Sequence, residues 1–143
     1  MAELVEATLG DCIYAAAWFD SRGYVRVGCQ KGRTPRLTVH VQTGVNDAKF
    51  FTERWGGKAR TVNSGRSLGN GAYTNGRYSW SLTKLPARQF LRDIESYSKF
   101  RGRLIHLSDQ FIERTALLGE KTNPLLDKLV AEIRQYSRVA ANA

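Results

Sequence analysis

Ala15-Ala16-Ala17-Trp18-Phe19-Asp20-Ser21-Arg22-Gly23, running directly into Tyr24-Val25-Arg26-Val27, reads as a helix that stops at a tight turn and becomes a strand. Upstream, Thr8 is placed to N-cap the helix, with Asp11 as its capping-box partner. Leu9, Ile13, Ala16 and Ala17 recur along one side at helical spacing, and Phe19 lies on a neighbouring stripe. Gly23 offers a permissive backbone where the chain leaves a helix and enters a strand at once. The triple alanine admits two readings. Alanine forms helix well, and small side chains also let a second helix approach backbone to backbone.

Outward from this stretch the period switches to two. Val25, Val27 and Cys29 point one way and Tyr24, Arg26, Gly28 and Gln30 the other. Lys31-Gly32-Arg33-Thr34-Pro35 is a basic hairpin tip. The next strand sets Leu37, Val39 and Val41 against Arg36, Thr38, His40 and Gln42. Each strand thus has an apolar face for helices and a polar, basic face left open, the pattern of an antiparallel sheet covered on one side. Asn46 is placed to cap a short helix carrying Phe50, Phe51 and Trp55, ended by Gly56 and Gly57. Lys58, Arg60 and Asn63 then fall on a third strand, and residues 63–76 form a glycine-rich loop that matches no phosphate-cradling motif. On the fourth strand Arg77, Ser79, Ser81 and Thr83 alternate with Tyr78, Trp80 and Leu82.

Three helices complete the chain. Pro86 opens Ala87–Tyr97, with Phe90, Leu91 and Ile94 inward. A longer helix carries Leu104, Leu107, Phe111 and Leu118 on one stripe and stops at Gly119. Asn123 and Pro124 start the last, where Leu125, Leu126, Leu129, Val130, Ile133 and Tyr136 read as amphipathic, and residues 140–143 are expected to fray. The predicted order is αββαββααα, an α+β fold with helices on one face of a four-stranded antiparallel sheet. The length fits one domain over residues 1–143, with a core from about 8 to 118 and a helical extension from about 122 to 139.

The helix-turn-strand stretch and the order of everything after it resemble the LAGLIDADG homing endonucleases. The features that carry the likeness are small residues, two large apolars and Asp-Ser-x-Gly before a strand. Phe50-Phe51-x-x-x-Trp55-Gly56-Gly57 and a basic Lys99-Phe100-Arg101-Gly102-Arg103 before a long helix add to it. The resemblance implies a saddle-shaped sheet lying along the DNA major groove. It also implies a homodimer, since there is one motif per chain, with Ile13, Ala16, Ala17 and Asp20 at the contact between motif helices. In the family the residue before the terminal glycine is the acid that binds the catalytic metal. Here it is Arg22, which has no lone pair for a cation and would repel it. The family's polar residue after the second strand falls on Gly44 or Val45, which cannot order a water. A basic residue survives as Lys99 or Arg101, fit to hold a phosphate. No catalytic residue, metal ligand or cofactor is assigned.

Charge agrees with a polyanionic partner. The net charge is +9, and residues 20–103 hold 17 Lys/Arg against five Asp/Glu, while residues 104–143 balance at five of each. No apolar run approaches a membrane span and no secretory signal opens the chain. The expected setting is the cytoplasm of a bacterial or phage-infected cell, or an organelle, and not secretion. Cys12 and Cys29 fit no zinc pattern and read as small buried hydrophobes. The expected DNA-contacting residues are Arg22, Arg26, Gln30, Lys31, Arg33, Arg36, Thr38, His40, Gln42, Lys58, Arg60, Arg66, Arg77, Ser79, Ser81, Lys99 and Arg101. Arginine and glutamine among them bond guanine and adenine edges bidentately. The expectation is a non-cleaving, sequence-specific binder of duplex DNA acting as a transcriptional repressor or regulator, with no small-molecule substrate. Two alternatives remain: an endonuclease with its metal site relocated around Asp20, and an RNA-binding splicing factor of the maturase type.

Overall fold

The computed structural model describes residues 4–29, 33–61 and 78–142. Its elements run α1 (Leu9–Arg22), β1 (Gly23–Gly28), β2 (Arg36–Thr43), α2 (Val45–Trp55), β3 (Lys58–Thr61), β4 (Tyr78–Thr83), α3 (Lys84–Glu95), α4 (Gly102–Ile112) with a π turn at Glu113–Leu117, and α5 (Pro124–Asn142). The predicted order of elements holds. The four strands form one antiparallel sheet in the order β1-β2-β4-β3. The glycine-rich loop 63–76, with Asn63, lies outside the described residues.

Helix α1 starts as its sequence dictates. The Thr8 hydroxyl accepts from the Asp11 amide at 3.1 Å, and Asp11 Oδ2 accepts from the Thr8 amide at 3.0 Å. The same carboxylate oxygen accepts from Arg54 Nε at 2.8 Å, so one side chain caps α1 and ties it to α2. These bonds hold the Asp11 carboxyl below its ordinary value, the Thr8 backbone contact contributing most. The inward stripe of α1 is Ala15, Ala16 and Phe19, while Leu9, Ile13 and Ala17 face outward.

Gly23 is needed for a reason other than conformational freedom. Its φ of −88° is ordinary extended backbone, but a Cβ there would strike the Phe19 ring and lie 2.7 Å from the Phe19 carbonyl oxygen. The true positive-φ turn is Gly56-Gly57, at φ 81° and 84°. A Cβ on Gly57 would collide with the Ser81 carbonyl oxygen, and the Gly56 carbonyl accepts from Trp80 Nε1 at 2.8 Å. The core fills the space between sheet and helices with stacked and edge-on rings. Phe51 stacks on Trp80 at 4.6 Å, and Phe90 meets Trp80 at 4.9 Å and Trp55 at 5.0 Å. Trp55 Nε1 donates to Asp93 at 2.9 Å, joining α2 to α3. Arg88 and Arg92 both donate to Asp109, at 2.9 and 3.1 Å, joining α3 to α4.

Several boundaries differ from expectation. Gly44, not Asn46, is the N-cap of α2, because the chain leaves β2 directly into the helix. Helix α3 begins at Lys84, whose φ of 57° makes the corner out of β4, so Pro86 sits within the first turn. Beyond Ile112 the backbone winds as a π turn, which rotates Leu118 out to solvent before Gly119 (φ 67°) ends the run. Cys29 falls past the end of β1 and is exposed rather than buried. Helix α5 reaches Asn142 rather than ending near 139. Its buried stripe is Leu126, Leu129, Val130 and Ile133, while Leu125 faces out. Asn123 caps it through Oδ1, which accepts from the Leu126 amide at 2.9 Å.

Helix α5 also closes one edge of the sheet. β1 is one of the two outer strands, and an outer strand offers unpaired backbone groups to any passing strand. Here the Ser137 hydroxyl accepts from the Val25 amide and donates to the Val25 carbonyl, each at 3.3 Å. Arg134 Nη2 donates to the Val27 carbonyl at 3.0 Å.

Candidate nucleic-acid interface

The sheet register gathers the outward side chains into rows. Tyr24 lies beside His40, His40 beside Ser81, and Ser81 beside Lys58. One step away, Arg26, Thr38 and Thr83 form a second row, and Gln42, Ser79 and Arg60 a third. Arg36 pairs with Gly28 at the end of the face. The opposite side chains, Val25, Val27, Leu37, Val39, Val41, Trp80 and Leu82, are buried under the helices. None of the four strands contains an Asp or Glu. Hydrogen-bonding groups and cations therefore share a surface with no competing anion.

His40 illustrates how the face is tuned. Its ring stacks on Tyr24 at 4.7 Å with planes 9° apart, and Arg26 stands over the Tyr24 ring at 5.5 Å. Burial, and then the charge of Arg26, push its pKa down to about 4. At neutral pH the imidazole is uncharged, with one nitrogen donating and the other accepting.

At the base of α1 the α3–α4 loop grips the motif. Asp20 Oδ1 accepts from the Ser98 hydroxyl, and Oδ2 accepts from the Lys99 amide at 2.7 Å. Ser98 Oγ in turn accepts from the Arg101 amide at 3.1 Å, and Arg101 Nη1 donates to the Gly23 carbonyl. Arg22 is the last residue of α1 and is exposed, where a cation also suits the helix C-terminus. Among the described residues no cluster of three or more His, Cys, Asp or Glu is placed to hold a metal ion. Gly44 and Val45 stand at the start of α2 and bring no polar side chain.

The expected contact residues divide accordingly. Arg26, Arg36, Thr38, His40, Gln42, Lys58, Arg60, Ser79 and Ser81 share the open face. Arg22, Arg33 and Lys99 are exposed beyond it. Gln30, Lys31, Arg66 and Arg77 lie outside the described residues. Arg101 is corrected: only 3% exposed, it is spent on the Gly23 carbonyl and lies 5.5 Å from the Phe19 ring centre, so no phosphate reaches it as a surface clamp. Ala16 is corrected as well. It is fully buried within its own chain, so it is no part of an outward helix contact, whereas Ile13 and Ala17 remain exposed. Asp20 is half-buried and engaged by the loop. Tyr24 and Thr83 belong to the face although the sequence reading does not count them among its contacts; strand parity is the signal that places them there.

No protein-family model matches the chain, and no curated protein does. Solved structures do. The chain aligns with the homing endonuclease I-CvuI in complex with its target in the presence of calcium. The TM-score is 0.66 at 12% identity, over 90% of this chain and 82% of that one. A second I-CvuI structure, bound to the I-CreI target with magnesium and with its DNA not cleaved, aligns at a TM-score of 0.60 and 12% identity. That match covers 92% of this chain and 80% of that one. At this identity the likeness is one of fold: four antiparallel strands covered on one face by helices.

Proposed function

We propose that this chain, which has the LAGLIDADG homing endonuclease fold, binds duplex DNA sequence-specifically without cutting it and acts as a repressor or related regulator. The observation that carries the reading is the carboxylate-free open face. Its rows lie two residues apart along each strand, about 7 Å, or about two base-pair steps of duplex at 3.4 Å each. Arg36, Arg26, Gln42 and Arg60 would read base edges in the major groove. The exposed cations around the face would hold phosphates and set register. Two copies, packed through the outward stripe of α1, would each read one half of a pseudo-palindromic site.

Absence of cleavage rests on the residues that stand where the nuclease chemistry would be. Arg22 occupies the place of the metal-binding acid, Gly44 and Val45 cannot position an attacking water, and both oxygens of Asp20 already accept hydrogen bonds. The test is selection of bound sequences from a random duplex library. Titration of the winning duplex then follows at several salt concentrations, with and without magnesium or manganese. The expected result is a pseudo-palindromic consensus and no strand scission. With about six phosphates neutralised per subunit, log affinity should fall against log salt by about 0.9 per contact. A flat salt response would remove the nucleic-acid reading, and metal-dependent scission of the selected site would establish the nuclease alternative.

A further inference from the structure

Three side chains on the open face lean on one another. Tyr24 of β1 and His40 of β2 are cross-strand partners, and their rings stack at 4.7 Å with planes 9° apart. On its far side the stack is footed on β4, where Ser79 Oγ lies 3.4 Å from His40 Nδ1. Two residues along β1 from Tyr24, Arg26 places its guanidinium carbon 5.5 Å from the centre of the Tyr24 ring. The run Ser79–His40–Tyr24–Arg26 thus crosses three strands, with both rings half-buried and the arginine exposed at its end.

This arrangement separates Arg26 from the other cations of the face. Arg36, Lys58 and Arg60 share the surface, but among the described residues none of them rests on an aromatic ring. A mobile arginine loses much rotamer freedom when a base fixes it, and one already held loses less. A ring beneath a planar guanidinium still leaves the N–H edges open for hydrogen bonds. Arg26 donates to no group among the described residues, unlike Arg101, whose Nη1 is taken by the Gly23 carbonyl. No carboxylate on the four strands competes for it. Guanine offers O6 and N7 side by side in the major groove, the pair of acceptors that a guanidinium edge fits.

We propose that Tyr24 is a positioning residue for base reading. Buttressed by His40, it holds Arg26 ready for a guanine, and the base read by Arg26 is the most strictly specified of each half-site. The inference rests on the duplex-DNA reading and adds to it a residue that acts through another side chain.

The experiment is selection from a random duplex library, run in parallel on the native chain, Arg26→Ala, Tyr24→Phe and Tyr24→Leu. Circular dichroism and thermal midpoint show that each is folded. Arg26→Ala identifies the base position it reads as the one it flattens, where the native chain should prefer guanine by about tenfold or more. Tyr24→Leu should cut that preference about two- to fivefold while the other positions keep theirs, and Tyr24→Phe, which retains the ring, should keep it. In the uncomplexed chain, ring current from Tyr24 should shift the Arg26 side-chain resonances upfield by NMR, in the native and Phe forms and not in Tyr24→Leu. Native resonances without that shift would overturn the proposal, whatever the variants do. A native selection with no consensus would overturn the duplex reading and this inference with it. A clear native consensus whose guanine preference survives Tyr24→Leu would overturn the inference alone. So would an even loss across all positions, the mark of a ring pair that only stabilises the sheet.

Discussion

On the proposed reading Arg22 separates binding from cutting, and its effect is measurable without any nuclease assay. On that reading the guanidinium at the base of α1 would bond phosphate oxygens bidentately and take over part of a metal's charge role. Arg22→Ala should weaken binding to the selected duplex several-fold in buffer free of divalent metal, checked by fluorescence anisotropy. Unchanged affinity would make it a helix-terminal charge and nothing more. Arg22→Asp should restore little or no cutting, because Gly44 and Val45 still leave the water unplaced. His40 makes a second residue-level prediction. An unfolded histidine titrates near 6.5, whereas the folded one titrates at about 4. Between those values the unfolded chain binds the extra proton. The His40 contribution to stability is therefore fully present above pH 6.5 and is lost as the pH falls towards 4. His40→Gln should remove that part of the acid limb of a denaturation profile, and the native imidazole resonance should show no titration between pH 6 and 8. A midpoint near 6.5 by NMR would contradict the stacked, half-buried placement.

Among the elements, α1 shows both what local pattern reveals and where it stops. Its capping box and its ending at Gly23 were legible because each depends on neighbours within a few residues. Which alanine faces the core was not. Leu9, Ile13 and Ala17 make one apolar stripe and Ala15, Ala16 and Phe19 another, and spacing alone does not say which the sheet will cover. Ala16→Leu should therefore overpack the core and cost about 1–3 kcal/mol, seen as a thermal midpoint several degrees lower. Ala17→Leu should leave the midpoint close to native while driving the proposed dimer to monomer by light scattering; a dimer that persists would take α1 out of the contact. Arg101 was illegible for a different reason. Its partner, the Gly23 carbonyl, is 78 residues away, and nothing in a Lys-Phe-Arg-Gly-Arg run tells a buried arginine from two solvated neighbours. The open face was readable almost side chain by side chain, because strand parity is a strict period of two.

For the molecule as a whole, the sheet keeps one face open while its opposite face and its β1 edge are occupied. Helices cover the opposite face, and α5 seals β1, one of the two outer strands, through Ser137 and Arg134. Removing residues from Arg134 onward should leave most of the secondary structure intact by circular dichroism. The truncated chain should nonetheless associate through β1, with scattering that rises with concentration. Ser137→Ala with Arg134→Ala should do the same more mildly. The seal also has a history written into the order of synthesis. Val25 and Ser137 are 112 residues apart. At the 5–20 residues per second of translation, β1 emerges about 6 to 22 s before the helix that will shelter it. During that interval the nascent chain carries an open strand edge with nothing of its own to put there. A crowded polysome is thus where this fold is most exposed to its own copies, and slowing its translation should lower the soluble yield.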